Sequence, residues 1–162
     1  MNKKYGLVTG SFDPITVGHV DIISRAAKMF EKVTVVVANN EEKNYLFSSE
    51  ERAMIAKAAV SHIDNADVEI CSGYVADFAK EHGAGAFVRG IRNEKDVAYE
   101  QNMADINYAN SGVDTVLLFA KPEFHVISST MVRTAISNGE NLDGLMTKES
   151  AKLALDILAS RK

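Results

Sequence analysis

The sequence of 162 residues contains little cysteine and no long hydrophobic run. A single cysteine, Cys71, excludes an internal disulfide and fits a reducing compartment, and its strand-like surroundings favour a buried, unreactive thiol. The longest apolar runs, VTVVVA and TVLLFA, are far shorter than the roughly 20 residues that a membrane-spanning helix needs. The amino-terminal segment MNKKYGLVTG lacks the hydrophobic region of a signal peptide, so we expect a cytoplasmic protein without membrane partners.

The chain also lacks a surplus of basic residues, internal repeats and low-complexity segments. Its 18 basic and 22 acidic side chains give a formal net charge of −4, which argues against broad nucleic-acid binding. A small anionic ligand held by a few local cations stays possible. Hydrophobic residues make up 46% and charged residues 25%, as in ordinary globular proteins, and the length predicts a single domain over residues 1–162.

Short β-branched runs alternate with amphipathic stretches along the whole chain. The strand candidates are YGLVT from Tyr5, VTVVVA from Val33, DVEIC from Asp67, AFVR from Ala86 and TVLLF from Thr115. Helical spacing places three sets of apolar side chains on one face each: Val20, Ile23, Ala27 and Phe30; Met54, Ile55, Ala58 and Ala59; Tyr99, Met103 and Ile106. Parallel strands need crossovers, which are usually helical. We therefore predict a Rossmann-like, doubly wound α/β fold: a five-stranded parallel sheet with helices on both faces.

Local signals mark several helix ends. Ser48 stands three residues before Glu51, a spacing typical of a capping box that begins a helix. Gly83 follows VADFAKEH and predicts the end of that helix. A last helix is expected at about 148–160, from the spacing of its apolar residues.

Doubly wound sheets bind ligands beyond the carboxyl ends of their strands, so the turns at those ends are informative. The first turn, GSFDPITVGH from Gly10 to His19, matches neither G-x-G-x-x-G nor the P-loop pattern. We expect Gly10 to let the backbone approach a ligand, Pro14 to stiffen the loop, and the helix amides to attract an anion within reach of His19. The alternative is that His19 only caps the first helical turn.

Two further turns carry cations. In VRGIRNEKD, Arg89 and Arg92 suit bidentate phosphate recognition, and a surface ion pair with Glu94 or Asp96 is the alternative. In NNEEKNYLF, Lys43 is the one cation, where a solvated lysine is the alternative. Phe47 in the same segment is a candidate pocket wall.

A fourth turn, FHVISSTMVR, carries hydroxyl groups. Ser128, Ser129 and Thr130 stand where a helix begins, so their hydroxyls and the helix amides converge, and capping alone is the alternative. From its spacing, His125 is interpreted as a partly exposed loop residue. Several turns with groups that can bind anions lie at one edge of one sheet, and together they predict a polyphosphate site.

The segments TGSFDPITVGH, RGIR and ISST closely resemble the signatures of the bacterial phosphopantetheine adenylyltransferase family. The likeness extends to RAAKMF, FSSEER, YEQNMADIN and the chain length. The T-x-G-H and I-S-S-[ST] elements are shared by the wider nucleotidylyltransferase superfamily, whereas FDPITVGH together with RGIR is more specific.

The resemblance implies adenylyl transfer from ATP to 4′-phosphopantetheine, with magnesium and without a covalent enzyme intermediate, giving dephospho-coenzyme A and pyrophosphate. It also implies a homohexamer that coenzyme A inhibits. Two alternatives stay open. One is an adenylyl- or cytidylyltransferase with another acceptor, such as nicotinate mononucleotide or glycerol 3-phosphate. The other is a non-catalytic nucleotide-binding sensor, although the glycine-rich loop of nucleotide-binding stress proteins is missing.

The resemblance assigns roles to individual residues and none to a metal ligand. His19 would stabilise the pentacoordinate α-phosphate as the catalytic residue. The acceptor would contact Ser11, Lys43, Val75 and Arg89. ATP would contact Ser11, Phe12, His19, Gly90, Ile91, Arg92, Glu100, Phe124, His125, Val126, Ile127, Ser128, Ser129 and Thr130. The sequence departs from the family pattern at Ser11, where threonine is usual, and at Phe124, where tryptophan or tyrosine is common.

Overall fold

A computed structural model describes the backbone of residues 2–161 and the side chains of residues 4–161. Within residues 2–161 there are five strands: β1 (Asn2–Gly10), β2 (Lys32–Ala38), β3 (Ala66–Cys71), β4 (Ala84–Ile91) and β5 (Asp114–Phe119). The same residues form six α-helices: α1 (Val17–Met29), α2 (Ser49–Val60), α3 (Val75–His82), α4 (Glu94–Ser111), α5 (Ser129–Ser137) and α6 (Lys148–Ala159). One 3₁₀ turn covers Pro122–Phe124. No helix in this described part is long and apolar enough to cross a membrane.

The five strands form one parallel sheet in the order β3-β2-β1-β4-β5. The chain runs outward from β1 through β2 to β3, and then crosses to the other side of β1 to form β4. The strand order therefore reverses between β1 and β4. In doubly wound sheets ligands bind at this reversal, beyond the carboxyl ends of the strands. The turns that follow β1 and β4 thus open into the expected crevice, and the predicted fold is confirmed.

Alternating side chains of the central strands fill two separate cores, one on each face of the sheet. Val8 and Val88 belong to the larger core, which also contains buried residues of α1, α2, α5 and α6. Their chain neighbours Leu7 and Phe87 point to the smaller core, where Phe78 of α3 packs against them. This alternation follows from the two-residue period of a strand. It buries both faces and confirms the prediction of helices on each side.

The predicted helix ends are also confirmed. At the start of α2, the Ser48 hydroxyl accepts from the Glu51 amide at 3.1 Å, and the Glu51 carboxylate accepts from the Ser48 amide at 2.8 Å. Gly83 ends α3 with a φ of 65°, in the left-handed region that glycine adopts without a side-chain clash. Cys71 is buried as predicted.

Three apolar side chains lie in other places than the sequence suggested. Met54 on α2 is 50% exposed, while the charged Arg52 of that helix is completely buried. Ile106 on α4 is also exposed, so the apolar spacing that correctly predicted the helix does not mark a buried face. Phe47 is fully buried in the larger core, and its expected place as a pocket wall is wrong.

Candidate active site

Two adjoining cavities open at the carboxyl edge of the sheet, with volumes of about 570 Å³ and about 750 Å³. We call the two together the cleft. The first cavity lies over the beginnings of α1 and α5, and the second extends towards the beginning of α3 and the middle of α4. Residues that line both are Thr9, Gly10, Ser11, Lys43, Tyr45, Arg89, Tyr99 and Glu100. The strand-order reversal has therefore produced a site with two compartments that share one boundary.

Most of the residues that the sequence singled out are brought together in the cleft. Those lining the first cavity are Ser11, Phe12, His19, Lys43, Arg89, Gly90, Arg92, Glu100, Phe124, Ile127, Ser128 and Ser129. Val75 lines the second cavity, together with Ser11, Lys43, Arg89 and Glu100. The three residues Ser11, Lys43 and Arg89 thus lie where the compartments meet.

Four residues assigned to ATP by resemblance line neither cavity. Ile91 is buried, and its carbonyl oxygen accepts from the Ala120 amide at 2.8 Å. Val126 is 71% exposed, and Thr130 is also exposed. His125 is an exposed residue whose Nε2 lies 3.0 Å from the Ala120 oxygen, as the interpretation from spacing expected. The contact of these residues with ATP stays a prediction.

The turn between β1 and α1 folds back over its own beginning. Phe12 adopts a φ of 50°, and its ring lies so close to Gly10 that a Cβ there would sit 3.0 Å from Cζ. The missing side chain of Gly10 therefore makes room for the Phe12 ring, and Gly10 also lines both cavities, so that its approach to a ligand stays a prediction. The Phe12 ring also meets the His19 imidazole edge to face, with centroids 5.1 Å apart. Phe12 thus packs the turn against the first turn of α1.

His19 completes a capping box at the start of α1. Its Nδ1 accepts from the Thr16 backbone N–H at 3.0 Å, and the Thr16 hydroxyl accepts from the His19 backbone N–H at 3.3 Å. A backbone N–H can only donate, so the neutral imidazole must carry its proton on Nε2. His19 therefore does cap α1, and the same cap leaves the other ring nitrogen as a hydrogen-bond donor, so capping and a contact with a ligand do not exclude each other.

The surroundings of His19 keep its imidazole neutral. Burial, and then the positive charges of Arg89 and Arg92, lower the pKa of His19 to about 4. Within residues 2–161, no side chain or backbone group hydrogen-bonds to its Nε2. An N–H donor in the cleft is thus available to an oxygen of a ligand. A polyphosphate beside it would raise this pKa, because negative charge favours the imidazolium form.

Arg89 and Glu100 form a forked ion pair at the shared boundary. The Arg89 Nε lies 2.9 Å from Glu100 Oε2, and Nη2 lies 2.7 Å from Oε1, while Nη1 donates to the Thr9 carbonyl oxygen. Glu100 is buried on α4, so it fixes the plane of the guanidinium. A guanidinium has five N–H donors, and two of them stay available here.

Arg92 is held from two sides at the end of β4. Its Nε lies 3.6 Å from Asp96 Oδ2, and its Nη1 donates to the Ile127 carbonyl oxygen at 3.2 Å. The ion pair with Asp96, an alternative that the sequence left open, is confirmed. The second contact joins Arg92 to the loop before α5, so both sides of the first cavity are connected.

The hydroxyls at the start of α5 have protein partners. Ser128 caps the helix by accepting from the Met131 amide at 3.1 Å, which is the alternative the sequence left open. The Ser129 hydroxyl donates to the Pro14 carbonyl oxygen at 2.8 Å and so ties α5 to the β1–α1 turn. What stays open to a ligand is the helix N-terminus itself, whose first N–H groups attract anions.

Sequence reasoning missed Arg133, which lines the first cavity from α5. Its Nη1 donates to the Asp13 carbonyl oxygen at 2.8 Å, and its Nη2 donates to the Thr130 hydroxyl at 3.1 Å. Among the residues that the structure describes, no carboxylate forms an ion pair with it. Arg133 lies one helical turn after Ser129, so the helical spacing could have placed it at the same end of the cleft.

Comparison with known proteins agrees with this geometry. The cytidylyltransferase-like family model matches residues 7–135. The phosphopantetheine adenylyltransferase of Cutibacterium acnes is 48% identical over 134 residues, which are 83% of this chain and 85% of that protein. The namesake enzyme of Leuconostoc citreum is 44% identical over 155 residues, 96% of each chain, and that of Bdellovibrio bacteriovorus is 42% identical over 145 residues, 89% and 91%. The chain belongs to the phosphopantetheine adenylyltransferase family.

The phosphopantetheine adenylyltransferase match covers more than the cleft. All five strand-to-helix turns that line it fall inside the segment that fits the cytidylyltransferase-like model, whereas α6 lies after that segment. The match to the Leuconostoc phosphopantetheine adenylyltransferase extends over 96% of the chain. Family membership therefore rests on the scaffold as well as on the short motifs.

Proposed function

We propose that the protein transfers an adenylyl group from ATP to 4′-phosphopantetheine, producing dephospho-coenzyme A and pyrophosphate. The observation that carries this proposal is the pair of adjoining cavities, which offers room for two phosphate-bearing substrates side by side. At their shared boundary a hydroxyl and two cations, Ser11, Lys43 and Arg89, can receive phosphate oxygens. The names of the relatives point to the same activity.

In this proposal ATP occupies the first cavity. Its phosphates lie against the N-terminus of α5, where helix amides favour an anion, and beside the guanidinium groups of Arg92 and Arg133. The aromatic ring of Phe124 offers a surface for the base. The absence of a side chain at Gly90 leaves room for Ile22 of α1, because a Cβ at this position would lie 2.8 Å from Ile22 Cγ1.

The acceptor occupies the second cavity with its phosphate towards the shared boundary. The Lys43 side chain is exposed, and within residues 2–161 its ammonium group has no partner, so it is free to bind a phosphate. Arg89 presents its two remaining N–H donors from a plane that Glu100 fixes. Val75 lines the far part of this cavity, where the pantetheine arm would extend.

The reaction is a single in-line displacement. An oxygen of the acceptor phosphate forms a bond to the α-phosphorus, the bond from that phosphorus to the α,β-bridging oxygen breaks, and pyrophosphate leaves with the electron pair. A phosphate monoester is largely dianionic near neutral pH and needs no general base. His19 donates Nε2–H to a non-bridging α-phosphate oxygen, whose negative charge grows in the transition state. Catalysis then comes from positioning and electrostatic stabilisation.

Magnesium is proposed as part of the ATP substrate. Among the described residues there is no group of three or more histidine, cysteine, aspartate or glutamate side chains able to hold a metal. In the first cavity, where ATP is proposed to bind, Glu100 and Asp96 are already paired with arginines, and the Asp13 carboxylate accepts from the Leu46 and Phe47 amides. Mg²⁺ commonly binds phosphate oxygens and keeps several waters, so a metal carried by the triphosphate fits this donor set better than a resident protein site.

We further propose a cytoplasmic homohexamer that coenzyme A inhibits. Exposed apolar side chains on α4, among them Val97, Ile106 and Tyr108, support association of subunits. Coenzyme A contains both the pantetheine arm and the adenine nucleotide of the product. It can therefore compete for both cavities at once.

A pyrophosphate-release assay with a panel of acceptors tests the proposed activity. With ATP and magnesium, 4′-phosphopantetheine should support turnover, whereas nicotinate mononucleotide and glycerol 3-phosphate should not. Turnover with either of these and none with phosphopantetheine would assign the cleft to another nucleotidylyltransferase reaction. Binding of ATP without transfer to any acceptor would indicate a nucleotide sensor.

A further inference from the structure

Arg52 is a completely buried cation that the proposed mechanism does not use. It lies in the first turn of α2, and its guanidinium donates to four neutral oxygen atoms. The acceptors are Phe47 O at 3.2 Å from Nε, Ser11 O at 2.8 Å and Ala38 O at 3.0 Å from Nη1, and Asn39 Oδ1 at 2.6 Å from Nη2. The ring of Tyr45 lies 3.8 Å from its Cζ. Every partner of this guanidinium is therefore uncharged.

These partners belong to two neighbouring parts of the chain, which follow the paired strands β1 and β2. Ser11 is in the β1–α1 turn, whereas Asn39 and Phe47 are the two ends of segment 39–47, which carries Lys43. One rigid, planar group thus bridges the turn and both ends of this segment. Removing it would free Ser11 and Lys43 to move relative to each other.

Asp13 of the β1–α1 turn also connects this turn to segment 39–47. Its Oδ2 accepts from the Leu46 amide at 2.8 Å, and its Oδ1 accepts from the Phe47 amide at 3.0 Å. Segment 39–47 is therefore fastened at its end by one carboxylate and one guanidinium. The backbone of Lys43 belongs to a local turn, in which its amide donates to the Asn40 carbonyl oxygen at 3.0 Å.

Burying a guanidinium that makes no ion pair with a carboxylate is costly, and apolar side chains of similar volume often stabilise a core better. The contacts of Arg52 therefore indicate that it positions the segments to which it donates hydrogen bonds. The groups proposed to hold ATP, namely Arg92, Arg133 and the start of α5, have other partners. Arg52 instead contacts both ends of segment 39–47 and the Ser11 carbonyl oxygen at the boundary that the two cavities share.

We propose that Arg52 is a positioning residue for the acceptor. It holds Ser11 and Lys43 in fixed relation, so that acceptor binding depends on Arg52 while ATP binding does not. This role rests on the proposed adenylyl transfer. Because Arg52 acts through Lys43, its effect disappears when Lys43 is absent.

Steady-state kinetics of the full chain tests this role with Arg52→Lys, Lys43→Ala and the double variant. Arg52→Lys keeps the charge but cannot reach all four oxygens. It should raise KM for 4′-phosphopantetheine about tenfold and change KM for ATP less than about twofold. In the Lys43→Ala background, Arg52→Lys should add less than about a twofold further change, because coupled sites are not additive.

Two control variants separate this role from a loss of stability. Val60→Ala shortens a buried side chain at the far end of α2 and should lower stability without changing the ratio of the two KM values. Arg161→Gln removes a donor to the Leu46 carbonyl oxygen that does not touch the Ser11 turn, and should also leave the ratio unchanged. If Arg52→Lys does not fold, Asp13→Asn disturbs the same junction and should raise the acceptor KM selectively.

Equal changes in both KM values, or independent effects of Arg52→Lys and Lys43→Ala, would overturn the role while leaving the proposed function intact. A lack of any transfer by the unaltered chain would overturn the proposed function and this role together.

Discussion

At the scale of single residues, His19 combines a structural and a chemical task through its two ring nitrogens. Nδ1 accepts from the Thr16 amide and so caps the start of α1, and this hydrogen bond leaves the proton on Nε2. The low pKa of His19, caused first by burial, keeps the unliganded imidazole neutral. The residue therefore offers an oriented N–H donor without relying on a permanent charge.

The two tasks of His19 can be separated by a matched pair of variants. The side-chain oxygen of His19→Asn can still accept from the Thr16 amide but offers no donor at the position of Nε2. We expect near-normal stability and a kcat lowered by about 10² to 10³. His19→Gln reaches further, so it should keep more activity but lose about 1 kcal/mol of capping stability. Urea unfolding and initial rates measure both, and normal turnover by His19→Asn would contradict the catalytic role.

The pKa of His19 also predicts a pH dependence of stability. The folded protein holds this pKa at about 4, below the ordinary 6.5, so the unfolded chain binds the proton first as the pH falls. The free energy of unfolding should fall by roughly 3 kcal/mol on this account as the pH drops from about 6.5 to about 4. Urea unfolding of the unaltered chain and of His19→Asn across this range measures the contribution. The same slope in both proteins would contradict it.

Residue type and spacing identified many residues of the cleft but not their partners. His19 and Arg92 were found because they follow strands at the ligand edge of the sheet. Pairing of Arg89 with Glu100 joins a strand end to a helix eleven residues later, and only the packing of α4 decides it. From its sequence, Arg52 would be assigned as an ordinary charged residue on a helix. Its burial depends on contacts with Ser11, 41 positions away, and Ala38, 14 positions away.

At the scale of secondary-structure elements, the contact of α1 with the end of β4 determines how the first cavity is formed. A Cβ on Gly90 would lie 2.8 Å from Ile22 Cγ1 and 3.1 Å from Cδ1. Ile22 is buried in the larger core, so it cannot swing away freely. The glycine lets α1 approach the strand that also carries Arg89 and Arg92.

Gly90→Ala should therefore destabilise the protein by about 1 to 3 kcal/mol through overpacking. The cost should shrink in an Ile22→Ala background, because the clashing atoms are then gone. Urea unfolding of the two single variants and the double variant gives the coupling energy. Simple additivity of the two changes would show that the close approach of α1 to β4 is not the cause.

The elements themselves could be predicted because their signals are local. Strand runs, the Ser48–Glu51 capping box and the glycine after α3 depend on neighbours in sequence. Which helix face is buried depends on the tertiary arrangement, and here Met54 and Ile106 were misleading. The sheet order, which locates the cleft, also follows from packing of distant segments.

At the scale of the whole molecule, charge and apolar surface are distributed unevenly. The chain has a net charge of −4, yet Lys43, Arg89, Arg92 and Arg133 all line the cleft. In the first cavity these four cations outnumber the three carboxylates of Asp13, Asp96 and Glu100, so an acidic protein offers a local site that suits a small polyphosphate. On α4, by contrast, several apolar side chains are exposed.

The exposed apolar side chains of α4 predict association of subunits. The unaltered chain should have the mass of a homohexamer in solution, because burying apolar area favours assembly. Ile106→Glu replaces one of these side chains by a charge and should shift the protein towards smaller species, whereas Lys152→Glu on the exposed side of α6 should not. Sedimentation measures the masses. A monomer for the unaltered chain would contradict the proposed assembly.

The central claim is that an oxygen of the acceptor phosphate forms the new bond to the α-phosphorus of ATP, at the boundary of two cavities. Heavy oxygen placed in the three non-bridging positions of the 4′-phosphopantetheine phosphate tests it, with mass spectrometry of both products. Our account predicts dephospho-coenzyme A that retains all three labelled oxygens, together with unlabelled pyrophosphate. Consumption of ATP without labelled dephospho-coenzyme A, or label in the pyrophosphate, would contradict it.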